Sequence, residues 1–386
     1  MGLENQPDAA PHIHSQQSAP RPEFPTLAAV AERYAPSARP EPDSLSWIFF
    51  GANGLRAGWS VALFLPLMTL ISTLVFDLLG ALHPVGSRLG QTDPLTGSIS
   101  EFILLCGVAG AAATVALVER RPKNLLSYNL LGQARRRHFL MGLLMGFLAI
   151  SLVVGALKCC GWLALSGSGS SLSVLVRNGL LWGTMFLMVG LYEEGLFRCY
   201  LQTTLARGIN LGWALGLQGI MCGALAATAR GNGAWGIYVM ALLGLGPCLW
   251  LGLRKAASSG FWLAAWVGST LFGLVHTGNH GENWIGILSA AAIGFVFVVS
   301  VRLTGSAWWA IGFHAAWDWA ETYFYGTADS GLVPQGSFLL SRAQGNAFWS
   351  GGTDGPEGSL LVLGVILLVL AALLVIYGRR SCVMDA

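Results

Sequence analysis

Charged residues are scarce in this sequence. Lysine, arginine, aspartate and glutamate together make up 11% of the 386 residues, whereas hydrophobic residues make up 54% and the mean hydropathy is +0.60. A soluble domain carries roughly a quarter charged residues. So low a share excludes an ordinary soluble protein and indicates an integral membrane protein. Apolar runs of about 20 residues recur along the chain, which favours helices over a β-barrel.

Three other patterns are missing as well. The basic residues lie in short connections and form no broad patch, so the net charge of +3 gives no reason to predict nucleic-acid binding. Most of the seven cysteines lie inside apolar runs, so we expect no disulfide framework. The first 45 residues contain eight prolines and lack the apolar core of a signal peptide. This composition predicts a disordered N-terminal tail.

Ten apolar segments follow the tail, and each is long enough to cross a bilayer. They cover residues 59–82, 101–118, 139–164, 178–206, 209–228, 234–253, 260–278, 284–303, 306–325 and 358–378. The sequence therefore predicts an all-α polytopic membrane protein, a bundle of about ten (eight to ten) transmembrane helices. Basic residues concentrate in alternate connections, above all at 120–123 and 135–137. By the positive-inside rule both termini are then cytoplasmic, and we expect a bacterial inner membrane.

The segments group into five regions. The tail covers 1–45, the first membrane helices 46–177, a core with polar motifs 178–325, an outer loop 326–357, and the last membrane helix with its tail 358–386. Within the core, residues 209–253 are predicted to form an inserted two-helix hairpin with a packing role. The outer loop is rich in Gly and Ser, and we expect a connector there in preference to a lid over a site.

Three of the apolar segments carry ionisable residues. The motifs are GLYEEGLFRCYL at 190–201, FGLVH at 272–276 and HAAWD at 314–318. An ionisable residue in the bilayer costs roughly 2.5–3.5 kcal/mol on insertion scales, so a functional hypothesis is the default. At about 1.5 Å per residue along each helix, these groups lie at comparable depths. We therefore predict that they converge on one polar cavity.

Helical spacing assigns a partner within the first motif. Glu194 and Arg198 are four residues apart, so they share a face and can form an ion pair. Glu193 lies about 100° around the helix from Glu194 and cannot share that partner equally. One carboxylate is thus free to face the cavity.

The other two motifs have the same spacing. His314 and Asp318 are four residues apart, which suits a carboxylate that orients or charges an imidazole. Phe272 and His276 also share a face, so the phenyl ring can form a wall of the site.

Polar residues outside these motifs are given simpler interpretations. Asn279 and Glu282 follow the second motif at the outer membrane boundary, where surface polarity is the favoured explanation and substrate binding the alternative. His83 and His138 are predicted to be solvated in loops.

Together the three motifs resemble those of the CAAX protease and bacteriocin-processing family, the intramembrane glutamic endopeptidases that include Ras-converting enzyme. The family pattern is EExxxR, FxxxH and HxxxN or a variant, and it corresponds here to residues 193–198, 272–276 and 314–318. Two features depart from it. Asp318 stands where the eukaryotic and archaeal prenyl proteases have Asn, and about 70 residues separate the first two motifs instead of a short turn.

The resemblance implies hydrolysis of a peptide bond in a membrane-associated protein or peptide, CAAX-type or related. Glu193 would be the general base, and His276 would help to hold and activate the water. His314 and residue 318 would stabilise the oxyanion. An ionised Asp318 cannot donate a hydrogen bond, so we expect it to orient and charge His314 or to be protonated. The arginine of the first motif would neutralise Glu194.

Two alternatives stay open. Glu193, His276 and His314 are a Glu and two His, a ligand set known for catalytic zinc. We expect no cofactor, because the sequence has no HExxH motif, and keep a zinc-dependent membrane protease as the alternative. Buried acids and imidazoles also form proton relays in transporters, so a non-enzymatic immunity or transport protein is the second alternative. The expected partners are the lipid bilayer and a peptide or lipidated protein substrate, without nucleic acid.

Overall fold

A computed structural model describes residues 46–51, 54–82, 94–119, 129–130, 134–228, 235–254, 259–279 and 281–378. The predicted N-terminal tail at 1–45, His83, and the basic connection at 120–123 lie outside these residues.

Helices dominate the described chain. In chain order they are α1 (Ser46–Phe49), α2 (Ala57–Leu82), α3 (Pro94–Val118), α4 (Arg135–Cys159), α5 (Leu172–Glu194), α6 (Leu211–Thr228), α7 (Trp235–Arg254), α8 (Ser259–Val275), α9 (Trp284–Thr304), α10 (Trp308–Trp319), α11 (Ala347–Ser350) and α12 (Leu360–Leu373). Three of them continue in π-helical turns: α5 through Gly195–Leu201 and then Gln202–Ala206, α10 through Ala320–Phe324, and α12 through Leu374–Gly378. One 3₁₀ turn, His276–Gly278, follows α8, and another, Pro356–Gly358, precedes α12.

Six of the described helices are long and apolar enough to cross a bilayer. They are Ala57–Ala81, Pro94–Val118, Arg135–Cys159, Leu172–Ala206, Trp284–Thr304 and Leu360–Gly378. The ten predicted apolar segments each correspond to one of the longer helices, α2 to α10 and α12. The prediction of an all-α polytopic membrane protein is thereby confirmed.

Two small antiparallel ribbons interrupt the helices. The first pairs β1 (Phe50–Gly51) with β2 (Gly54–Leu55), and the second pairs β3 (Leu163–Gly167) with β4 (Leu339–Ala343). The second ribbon ties the outer loop to the end of α4. The segment predicted at 139–164 therefore ends as a helix at Cys159, and its last two residues belong to a strand.

The structure corrects the prediction for His138. This residue lies in the first turn of α4 and is buried, and its ring centroid is 5.9 Å from that of Tyr377 at the end of the last helix. The helix begins at Arg135, so His138 belongs to the helix and not to the preceding loop. Its imidazole therefore lies inside the bundle and not in solvent.

Helix α10 lies at the centre of the fold, between α4, α5 and α9. Its Trp309 and Phe313 belong to the largest apolar cluster, which also includes Phe297 of α9 and Ile150 of α4. The helices of the predicted insertion, α6 and α7, contact each other and α8, and the three helices share an apolar cluster. The polar motifs are thus held in α5, α8 and α10 by an apolar surround.

Glycines allow α4 and α10 to approach very closely. A Cβ atom at Gly142 or Gly146 of α4 would collide with backbone atoms of Trp309 or Phe313, and one at Gly312 of α10 would collide with the backbone of Phe139. Small residues at such an interface let membrane helices pack backbone against backbone.

We expect Gly146→Ala to destabilise the fold by about 1–3 kcal/mol, because the added methyl has no space and the two backbones must separate. The matched control is Gly155→Ala in the same helix, where nothing lies within 4 Å of the added methyl. There the better helix propensity of Ala leaves stability unchanged or raises it by up to about 1 kcal/mol. The free energy of unfolding in micelles measures both, and equal values for the two variants would contradict the predicted close contact.

Candidate active site

The carboxylates of the first motif lie where α5 changes its winding. Glu193 and Glu194 are the last α-helical residues before the π-helical turn Gly195–Leu201. Such turns inside α-helices are frequent at functional sites. Across this change, Arg198 Nε is 3.1 Å from Glu194 Oε2, and Arg198 Nη1 donates to Glu194 Oε1 at 3.1 Å. The predicted ion pair is confirmed, and it is a two-point contact.

This ion pair is buried: the exposed fractions of the Arg198 and Glu194 side chains are 1% and 0%. Arg198 Cζ lies 4.2 Å from the ring centroid of Phe272 and 5.1 Å from that of Phe297. Aromatic faces attract a guanidinium and compensate part of its lost hydration. The phenyl ring of Phe272 therefore has two contacts: it packs against the Arg198 guanidinium and it forms a wall beside His276.

His314 stands between three carboxylates. Its Nδ1 is 2.9 Å from Glu194 Oε1, while its Nε2 is 3.5 Å from Asp318 Oδ2 and 3.8 Å from Glu193 Oε2. Nδ1 must carry the hydrogen that the Glu194 carboxylate accepts. The ring is therefore fixed by Glu194, with Nε2 directed at Glu193 and Asp318.

The partner that orients His314 differs from the predicted one. Helical spacing pointed to Asp318, but 3.5 Å is long for a hydrogen bond and the 2.9 Å contact is the stronger one. Glu194 thus bonds to Arg198 and to His314 at once. Asp318 contributes negative charge near Nε2.

Glu193 is the carboxylate left without a fixed partner. Its Oε2 is buried and has no hydrogen-bond partner in the described residues. The side chain keeps 24% exposure, in contrast to that of Glu194. Since 3.8 Å is too long for a direct hydrogen bond to His314 Nε2, one small polar group can bridge the two.

His276 occupies the 3₁₀ turn at the end of α8. Its Nδ1 is 2.7 Å from the carbonyl oxygen of Phe272, so Nδ1–H donates and Nε2 keeps its lone pair. In the described residues no hydrogen bond or ion pair joins His276 to Glu193 or to His314. Its imidazole reaches them only across the cavity.

A cavity of about 40 Å³ lies among these groups. It is enough for a water molecule. Three of the four predicted catalytic residues line it, namely His276, His314 and Asp318, together with Glu357 and mostly apolar neighbours. Glu193 is not among the lining residues. Its Oε2 lies 3.8 Å from Nε2 of His314, which does line the cavity.

Helix α3 brings a further carboxylate that was not predicted from the sequence. Glu101 lies close enough to Glu193 and His314 for their charges to act on it. The apolar segment predicted at 101–118 put Glu101 at its edge, whereas α3 begins at Pro94 and places Glu101 about two turns inside. Proline at the first position of a helix was the available signal.

Residues 176–252 and 248–320 match a family model described as Rce1-like, type II CAAX prenyl endopeptidase Rce1-like. This match confirms the predicted resemblance to the CAAX protease family. The match spans the three motifs but less than half of the 386 residues. Among curated proteins and among solved structures, the chain has no significant match.

The Rce1-like match implies a peptidase of the CAAX protease kind in general terms. With the six candidate spans, it also supports an integral membrane protein surrounded by lipid. The matched residues contain Glu193, Glu194, Arg198, His276, His314 and Asp318. The roles of these residues stay predictions.

The zinc alternative needs Glu193, His276 and His314 to gather around one point. In the described residues one group of metal-binding side chains has its ligand atoms within 4.8 Å of one another, and it consists of Asp318, Asp329 and Glu357. The Rce1-like motifs themselves do not form such a group in this structure.

The outer loop forms part of the cavity wall, whereas the sequence predicted a plain connector there. Glu357 lines the cavity, and its Oε1 accepts a hydrogen bond from Trp317 Nε1 at 2.7 Å. Asn279 and Glu282 lie beside the loop but not in the cavity. Asn279 Nδ2 donates to Glu282 Oε2 at 3.4 Å. Their substrate-binding role stays a prediction.

Two carboxyls outside the spans lie close together. A Cβ at Gly286 would touch both Glu282 and Asp354. Burial, with the negative charge of Asp354, raises the pKa of Glu282 to about 9. Burial likewise raises the pKa of Asp354 to about 8. The hydrogen bond from the Asn283 backbone N–H acts in the opposite direction and lowers this pKa, but its effect is smaller.

A pH dependence of stability follows from these two pKa values. Between the unfolded values near 4 and the folded values of about 8 and 9, the folded chain binds more protons, so its free energy of unfolding falls as pH rises. We expect a Tm a few degrees lower at about pH 9 than at about pH 6. Glu282→Gln should show a smaller fall. Parallel Tm–pH curves for the two proteins would contradict the raised pKa of Glu282.

Proposed function

We propose that this chain is an intramembrane endopeptidase that hydrolyses a peptide bond of a membrane-associated protein or peptide, CAAX-type or related, with water activated on Glu193. One observation carries the proposal. His314 is held by the buried Glu194–Arg198 pair and presents its second ring nitrogen to Glu193 beside a cavity of about 40 Å³. This arrangement supports the proposal that a general base and an electrophilic group act beside a site for one water.

Glu193 is the general base in this proposal. Its Oε2 has no competing hydrogen bond in the described residues, so a lone pair is available to a water molecule. The carboxylate takes a proton from the water as the oxygen attacks the scissile carbonyl carbon. The protonated Glu193 then gives that proton to the leaving amine, and the C–N bond breaks. The carboxylate is regenerated at the end of the cycle.

His314 stabilises the oxyanion of the tetrahedral intermediate. Nδ1–H is committed to Glu194 at 2.9 Å, so Nε2 donates only when the ring is an imidazolium. Three nearby carboxylates favour that charged form. Asp318 acts through His314, because its carboxylate lies 3.5 Å from Nε2 and supplies negative charge that favours the imidazolium.

His276 helps to hold the water. Because Nδ1–H donates to the Phe272 carbonyl, Nε2 can accept a hydrogen bond from a water in the cavity that both histidines line. The aromatic and aliphatic lining keeps other solvent away from the reacting groups.

The membrane orientation belongs to the proposal as well. The alternation of basic connections supports cytoplasmic N- and C-termini, and a bacterial inner membrane remains the expected location.

A cleavage assay on the purified chain tests the proposal. The full chain in lipid nanodiscs is incubated with farnesylated, geranylgeranylated and unmodified CAAX-type peptides and with membrane-anchored peptides, and products are identified by mass spectrometry. We expect cleavage of at least one class, unaffected by a zinc chelator such as 1,10-phenanthroline. Loss of activity on chelation with recovery on added zinc would support the metalloprotease instead. Absence of cleavage across the panel would support the non-enzymatic alternative.

A further inference from the structure

A second polar site lies next to the proposed catalytic groups. Asp318 of α10 and Asp329 and Glu357 of the outer loop each offer one carboxylate oxygen, and these oxygens lie within 4.8 Å of one another. Oxygen ligands bound to one Ca²⁺ at 2.3–2.6 Å can be separated by up to about twice that distance. The three oxygens are therefore close enough to contact a single ion.

Neutral groups hold these carboxylates in place. Thr322 Oγ1 donates to Asp329 Oδ2 at 2.8 Å, and Glu357 accepts from Trp317 Nε1 at 2.7 Å and from Ser330 Oγ at 3.1 Å. In the part of the chain that the structure describes, no Lys or Arg forms an ion pair with the three acids. Among the described residues, the one ion pair to these three acids is therefore that of Asp318, whose Oδ2 lies 3.5 Å from His314 Nε2.

An independent observation comes from Glu321, three residues after Asp318. Its side chain is fully buried, and neither carboxylate oxygen has a hydrogen-bond partner in the described residues. Its Oε1 lies 3.4 Å from the Cβ position of Gly355, in the loop that carries Glu357. A buried carboxylate without donors is costly, and this one is directed at the loop beside the three acids.

We propose that Asp318, Asp329 and Glu357, with Glu321 beside them, form a binding site for a hard divalent cation, and that Ca²⁺ fits it best. The donor atoms are all carboxylate oxygens, which suit Mg²⁺, Ca²⁺ and Mn²⁺ and not the nitrogen and sulfur preferences of zinc. Their irregular arrangement on a helix and a loop suits Ca²⁺, which accepts flexible geometry, whereas Mg²⁺ demands a near-ideal octahedron.

The bound ion would fasten the outer loop to α10 one helical turn from His314. It would also offset the negative charge of Asp318, which lies 3.5 Å from the imidazole. The inference depends on these contacts alone and not on the proposed peptidase activity.

Terbium luminescence tests the site without any peptidase assay. Tb³⁺ substitutes for Ca²⁺ at oxygen sites, and Trp317, which donates to Glu357, is placed to sensitise its emission. The full chain in nanodiscs is stripped with EGTA and titrated with Tb³⁺ under tryptophan excitation. We expect saturable emission that Ca²⁺ displaces at concentrations at least tenfold lower than Mg²⁺ requires.

Variants locate the ion. Asp329→Asn and Glu357→Gln should each weaken Tb³⁺ binding at least tenfold, while Asp77→Asn on the exposed face of α2 leaves it unchanged. Glu193→Gln should also bind normally, because that residue is outside the site. No saturable emission in the wild type, or equal binding in the Asp329 and Glu357 variants, would overturn the inference. Binding lost on Glu193→Gln would place the ion at the catalytic groups and overturn it as well.

Discussion

Glu193→Gln is expected to lower the rate of peptide cleavage by a factor of about 10²–10⁴, the usual contribution of a general base. The amide has nearly the shape of the carboxylate, so the contacts of α5 and the distance to His314 are kept, but it cannot take a proton from water. The loss should appear in kcat with little change in KM, since the residue acts on the water and not on substrate binding.

The control for this variant is Asp77→Asn, which makes the same chemical change on an exposed surface of α2. It should cleave at the wild-type rate. A thermal melt of both proteins shows whether each is folded. Wild-type cleavage by a folded Glu193→Gln protein would exclude Glu193 as the base, and the assignment of the site would have to move to another carboxylate such as Glu101.

Removing Arg198 is expected to have the largest effect on stability. Arg198→Met leaves the fully buried Glu194 with only the His314 imidazole as a partner, and breaking a buried ion pair in this way costs about 3–5 kcal/mol. The double variant Glu194→Gln with Arg198→Met should recover part of this loss, because the uncompensated charge is removed with its partner. The free energy of unfolding in micelles measures both.

Arg177→Met is the matched control, since this arginine is exposed on the same helix. Its replacement should change stability by less than about 0.5 kcal/mol. If Arg198→Met were no more destabilising than Arg177→Met, the ion pair would not stabilise the fold as described. If the double variant were as unstable as the single one, the loss would come from the packing of Arg198 against Phe272 and not from the unpaired charge.

The membrane helices could be predicted from the sequence because their signal is local. Apolar runs of helix length and basic connections can be recognised without knowledge of the tertiary structure. In most cases the ten segments agree with the observed helices within a few residues. The pair Glu194–Arg198 was predictable for the same reason, since residues four apart on a helix are neighbours.

Contacts between helices were less predictable. Depth along the helices placed His314 near the first motif, but the choice between Glu193 and Glu194 as its hydrogen-bond partner depends on how α5 and α10 are rotated against each other. The acids of the outer loop carry no periodic signal, and their approach to Asp318 results from the β3–β4 ribbon and from the turn before α12. Glu101 was missed because a boundary was set a few residues too late.

The glycine contact between α4 and α10 restricts which parts of the protein can move when a peptide enters. Where two backbones touch, rotation or sliding of either helix meets steric resistance at once. Helix α10, with His314 and Asp318, is therefore a fixed reference for the reaction. The displacement that admits a substrate must therefore come from elements that lack such backbone contacts with α10.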